Sequence, residues 1–243
     1  MTTELRGLLI TGTDTGVGKT VVTCGLAGAL RRRGLSVAPF KPAETGCVPA
    51  KGTNFLVPAD AELLRRACAT EAPLDTICPY RFQPPLAPWV AAEQSGVAID
   101  PGHLELCYKA LAASSDVVLV ETAGGILVPL REDFHYADLA LLLHLPVLVV
   151  VGSKLGAINH ARLTLEFLRA AGLRTIACVL NHPFQETSDA TDTNEATLRS
   201  LASVPLFVIP HLLPHRADGG PSWDDPTFDA LAIRVEACLR NAY

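Results

Sequence analysis

The stretch Gly12-Thr13-Asp14-Thr15-Gly16-Val17-Gly18-Lys19-Thr20 decides the reading of this chain. An apolar run, Leu8 to Thr11, precedes it and reads as a strand. Val21 to Arg33 follows and reads as a helix, with Val22, Leu26, Ala29 and Leu30 on one face and Gly34 as its stop. Strand, glycine-rich turn and helix in that order form a phosphate-binding loop. Its glycines let backbone amides turn inward, and the helix N-terminus adds positive potential. Lys19 then supplies a cation to the outer phosphates, and Thr20 a hydroxyl for magnesium. The strict pattern would put its first glycine at Thr13, whereas this chain has Gly12 one residue early.

Working outward, strand-like runs alternate with helical ones. Ser36 to Lys41, Val117 to Glu121, Pro146 to Val151, Thr175 to Leu180 and Leu206 to Ile209 read as strands. Ala59 to Cys68, Leu104 to Ala113, the stripe Ile158, Ala161, Leu165 and Leu168, and Phe228 to Leu239 read as helices. That alternation predicts an α/β fold of the P-loop NTPase type: one domain spanning residues 1–243, a mostly parallel sheet, and helices on both faces. Ligands then bind beyond the carboxyl ends of the strands. Ala43 to Pro58, Cys78 to Pro88 and His215 to Asp225 carry glycine and proline without either period and read as loops.

Composition narrows the class. Of 243 residues, 49% are hydrophobic but only 6% aromatic, so the core is aliphatic, as strands buried on both faces require. The net charge is −5 and no long basic run exists, which argues against a nucleic-acid or membrane partner. Arg31-Arg32-Arg33 ends the first helix, where cations suit the dipole. The seven cysteines form no CxxC pair, which suggests neither a zinc knuckle nor a disulfide framework and fits a reducing, cytoplasmic setting.

Three further residues sit at strand or helix ends. Lys41 ends the second strand beside the phosphate loop, and Pro42 fixes the turn after it. Asp60 opens a helix. Glu121 ends the strongest strand before Ala123-Gly124-Gly125, where a carboxylate reaches magnesium directly or through water.

Together these residues resemble dethiobiotin synthetases. The resemblance rests on residues 12–20, Lys41-Pro42 with Thr45-Gly46, Asp60-Ala61, Pro79-Tyr80 with Phe82, Val120-Glu121 with Ala123-Gly124-Gly125, Pro129-Leu130, and Ala137-Asp138. It continues through Gly152-x-Lys154-Leu155-Gly156-x-Ile158-Asn159-His160-Ala161, Asn181 and Ile209-Pro210. It implies an ATP-dependent ligase that closes the ureido ring of diaminopelargonic acid with carbon dioxide, through a carbamate and a carbamic–phosphoric anhydride. Lys19, Lys41 and Thr15 would be catalytic. Gly16, Val17, Gly18, Lys19 and Thr20 would hold the ATP phosphates, with Asn181, Pro210, His211 and Leu212 around the base. Thr20, Asp60 and Glu121 would surround Mg2+. Lys41 and Thr45 would meet the carbamate. Gly156, Ala157, Ile158 and Asn159 would grip the substrate carboxylate from a partner subunit, which implies a homodimer. His160 reads as a packing residue.

Two positions depart from the family pattern. Thr122 stands where glycine usually follows the glutamate, and Leu86-Ala87 stand where a Thr-Ser pair is common. Two other functions share the phosphate loop. A dimerising ATPase switch of the ParA/MinD kind typically carries a lysine five residues before the loop lysine, where this chain has Asp14. A cobyrinate-type amide synthase needs a glutaminase domain that 243 residues leave no room for.

Overall fold

The computed structural model describes residues 7–53, 55–185, 188–212 and 225–240. Its main sheet has six strands: β1 (Gly7–Gly12), β2 (Val37–Phe40), β3 (Val117–Gly125), β4 (Val147–Gly152), β5 (Thr175–Asn181) and β6 (Leu206–Ile209). Their spatial order is β6-β5-β4-β1-β3-β2, and every neighbouring pair is parallel.

Side chains alternate between the two faces, as a pleated strand demands. Leu9, Phe40, Val118, Val120, Val147, Val149 and Leu180 enter one core. Leu8, Ile10, Val37, Val117, Leu119, Leu148, Val150 and Val179 enter the other. The second core is roofed by α1 (Lys19–Arg32) and α9 (Pro226–Arg240). The first is roofed by α5 (Pro101–Ala113), α6 (Tyr136–Leu142) and α7 (Ala157–Ala170), with α8 (Asp189–Leu201) adding Leu198. The arginine cluster at the end of α1 pairs across to α9: Arg32 reaches Asp229 at 2.7 Å and Arg33 reaches Glu236 at 2.7 Å.

The chain leaves β1 toward β2 on one side and later returns past it, from β3 to β4, on the other. The carboxyl ends of β1 and β3 therefore open into a crevice between connections that diverge, which is where open α/β sheets bind ligands. No described helix is long and apolar enough to cross a membrane.

Two segments expected to be loops contain short strands. Ala43–Thr45 pairs in parallel with Tyr80–Phe82, and Val48–Pro49 pairs antiparallel with Leu56–Val57. Runs of two or three residues are too short for a period to be read. Between them lie α2 (Ala59–Cys68), whose span matches the sequence reading, and α3 (Leu74–Ile77). α4 (Pro88–Gln94) begins on the last proline of the second supposed loop. A hairpin, Pro129–Arg131 with Phe134–His135, precedes α6. Apart from Asp225, the third expected loop lies outside the described residues.

Candidate active site

The phosphate loop wraps the carboxyl end of β1. Gly16 and Gly18 have φ of 74° and 89°, the left-handed region that favours glycine. At Gly18 the need is doubled, because a Cβ there would collide with the Asn181 side-chain amide. Val17 turns inward, buried against Gly152 of β4. Lys19 opens α1 and donates to the Asp14 carbonyl at 3.2 Å. Burial, with the Lys41 charge beside it, lowers the Lys19 ammonium to about 8. The Asp14 carboxylate takes a 2.8 Å ion pair from Lys154, which follows β4, and accepts from the Thr15 amide at 2.8 Å. Both contacts hold it below the usual carboxylate range.

Across the crevice, strand register builds a second cluster. Phe40 of β2 pairs with Val120 of β3, so the next residues, Lys41 and Glu121, emerge side by side. Glu121 has no solvent exposure and collects three donors. Lys41 Nζ and Thr20 Oγ1 reach its Oε1 at 2.7 and 2.9 Å, and Thr23 Oγ1 reaches its Oε2 at 2.6 Å. Lys41 Nζ also contacts Asp60 Oδ2 at 3.2 Å. Burial alone would lower Lys41, but the Glu121 and Asp60 charges more than offset it, so the ammonium stays protonated above its usual range.

Sequence reasoning missed Glu44. Its carboxylate is buried and accepts from the amides of Asp60 and Ala61, both at 2.9 Å. Burial pushes it above the usual carboxylate range against the pull of those amides. No local pattern announces it, since its partners lie 16 and 17 residues downstream.

Between the loop and this cluster lies a cleft of about 790 Å³. Thr15, Gly16, Gly18, Lys19, Thr20, Lys41, Thr45, Asp60 and Glu121, all expected at the site, line it. Pro85, Leu86, Ala87 and Val128 form an apolar wall, so the unusual Leu86-Ala87 pair faces the cleft. Thr122 also borders it and is buried; its hydroxyl donates to the Gly124 carbonyl at 2.8 Å and lies 3.3 Å from Thr11 Oγ1. Val17, Pro210, His211 and Leu212 do not line the cleft, nor do Gly156 to Asn159, which open α7. Asn181 ends β5 and spends its side-chain amide on the Val17 carbonyl at 2.9 Å. The oxygens of Asp60 and Glu121 meet at the Lys41 ammonium, and Thr20 Oγ1 joins the set through Glu121 Oε1. Such a set of hard donors fits a magnesium ion, and the ammonium marks where positive charge is wanted. Among the described residues no group of three His, Cys, Asp or Glu side chains could hold a metal by itself.

A sequence profile described as an AAA domain matches residues 6–214. The ATP-dependent dethiobiotin synthetase BioD of Anaeromyxobacter sp. (strain Fw109-5) is 46% identical over 209 residues, 86% of this chain and 91% of that protein. The chain belongs to the dethiobiotin synthetase family. A second member, from Anaeromyxobacter dehalogenans (strain 2CP-1), is 44% identical over 85% of this chain and 90% of its own. A MinD cell division protein of Aquifex aeolicus superposes with a TM-score of 0.56 over 96% of this chain and 97% of its own. At 16% identity that likeness concerns the fold alone.

Proposed function

We propose that this chain is an ATP-dependent dethiobiotin synthetase, a ligase of biotin biosynthesis that forms carbon–nitrogen bonds. It closes the ureido ring of diaminopelargonic acid with carbon dioxide and releases ADP and phosphate. The observation that carries this reading is Lys41: a second buried cation faces the cleft opposite Lys19, held there by Glu121 and Asp60.

One amine of the substrate adds to carbon dioxide and loses a proton, giving a carbamate. A carbamate oxygen attacks the γ-phosphorus and ADP leaves, giving the mixed anhydride. The second amine attacks the carbonyl carbon, phosphate departs, and the ring closes with loss of a proton. Each step gathers negative charge, so positioning and charge stabilisation are the protein's main task. Lys19, Thr15 and the amides of Gly16 to Thr20 hold the phosphates. Lys41 swings from its carboxylates to the carbamate and the transferring phosphoryl group, and Thr45 hydrogen-bonds nearby. Thr20, Asp60 and Glu121 would hold Mg2+, which would supply positive charge against the phosphates. Asn181 reads the adenine, flanked by Pro210, His211 and Leu212.

Gly156, Ala157, Ile158 and Asn159 lie outside the cleft of their own chain, so a grip on the substrate carboxylate calls for a second copy. A homodimer in the cytoplasm is therefore part of the proposal, and sedimentation tests it. The free cysteines fit that compartment.

The test is direct. Protein is incubated with diaminopelargonic acid, bicarbonate, ATP and magnesium, and dethiobiotin is followed by mass spectrometry with each component omitted in turn. Product that requires all four supports the ligase. Nucleotide hydrolysis indifferent to the diamine sinks it and favours the switch, against which Asp14 at the position of the switch lysine already argues.

A further inference from the structure

Helix α2 lacks the usual device at its start. Its N-cap residue is Pro58, which has no side-chain acceptor, and no side-chain cap bond is made from that position. An N-cap side chain normally accepts from the second or third amide of the helix. Here those amides belong to Asp60 and Ala61, and Glu44 takes both, one on each carboxylate oxygen at 2.9 Å. Glu44 comes from the short strand Ala43–Thr45, three residues after Lys41, and lines the same cleft.

A buried carboxylate at the rim of a cleft that receives phosphate would repel its ligand, so its presence asks for a compensating role. We propose that Glu44 is a positioning residue. By capping α2 from outside the helix, it fixes the backbone of Asp60 so that the Asp60 carboxylate meets Lys41 at 3.2 Å and faces the cleft beside Thr20 and Glu121. The short strand that carries Glu44 runs on directly from the turn after Lys41, so one rigid segment sets both the lysine and its second carboxylate partner. In this role Glu44 acts through Asp60 rather than on a ligand. This inference rests on the reading of Asp60 as part of the magnesium and phosphate site.

The test is a double-mutant cycle with a rescue. Glu44→Gln keeps the size but removes the charge and one acceptor. It is expected to raise the Mg2+ concentration for half-maximal turnover roughly tenfold, the usual scale for losing a partner that orients a metal-side carboxylate. Asp60→Asn should raise it at least as much, and the double variant should be no worse than Asp60→Asn alone. Pro58→Ser, which supplies a local cap, should restore most of the loss in the Glu44→Gln background. Amide hydrogen exchange at Asp60 and Ala61, measured without ligands, should accelerate in Glu44→Gln and slow again on adding Pro58→Ser. Full additivity of the two losses, or no rescue by Pro58→Ser although the amides are protected again, would overturn the positioning role. Unchanged exchange in Glu44→Gln would overturn the cap. If Asp60→Asn leaves the Mg2+ dependence untouched while the exchange changes occur, the assignment of Asp60 to the site fails, and with it the functional role of the cap.

Discussion

Lys41 Nζ, one residue past the end of β2, and Glu121 Oε1, midway along the adjacent strand β3, lie 2.7 Å apart, both shielded from solvent. Breaking such a pair from one side leaves an uncompensated buried charge, which costs about 3–5 kcal/mol. Lys41→Ala should therefore lower the melting temperature, and adding Glu121→Gln should return part of it. Turnover should fall on the order of 10³-fold, the scale for losing one strong stabiliser of transition-state charge. ATP binding should remain detectable by titration calorimetry, because Lys19 and the loop amides are untouched. Wild-type turnover in Lys41→Ala would remove that residue from the chemistry.

Burial, with the Lys41 charge beside it, lowers the Lys19 ammonium to about 8. Its folded value lies below its unfolded one, so the charged form is the disfavoured one in the empty cleft. Phosphate favours that charged form. ATP affinity should therefore be flat below pH 8 and fall as pH rises through it, approaching tenfold per unit. Calorimetry at pH 8.5 in buffers of different ionisation enthalpy should show proton uptake on binding. Release of protons there would contradict the assignment.

Gly18 sits where a side chain is strained and where it would strike Asn181. Gly18→Ala should cost about 1–2 kcal/mol from the backbone alone and more from displacing the amide. Asn181→Ala in the same chain removes the collision, so the double variant should be more stable than the sum of the two single losses predicts. Chemical denaturation of the four proteins measures this. Simple additivity would mean that the loop yields without disturbing Asn181.

Gly25 on α1 lies under the ring of Phe228 on α9, with no room for a Cβ. Overpacking of this kind costs about 1–3 kcal/mol. Gly25→Ala should lower stability by that amount, and Phe228→Leu should recover part of it. Because neither residue lines the cleft, kcat should not change at a temperature where the variants stay folded.

Much of this architecture is legible in the residues. α2 and β6 have the spans their apolar pattern gives, and the meeting of Lys41 with Glu121 follows once β2 and β3 are neighbours. What escapes reading does so for physical reasons. α8 buries only Asn194 and Leu198, so it carries almost no apolar stripe. α6 is apolar nearly all round and merges with the run that leads into β4. α4 hides in a proline-rich stretch, although a proline at the first position of a helix is itself a start signal. Glu44 joins segments 16 residues apart through main-chain amides, which no spacing of side chains reveals. The same holds for the Asp14–Lys154 pair, 140 residues apart.

The sealing of Glu121 has a consequence for timing. A carboxylate with no access to water stays ionised only with a cation beside it. If Lys41 departs for an anionic ligand, another positive charge or a proton has to take its place. Release of the lysine is then coupled to the arrival of that charge, so the Lys41–Glu121 contact links occupancy of the two sides of the cleft.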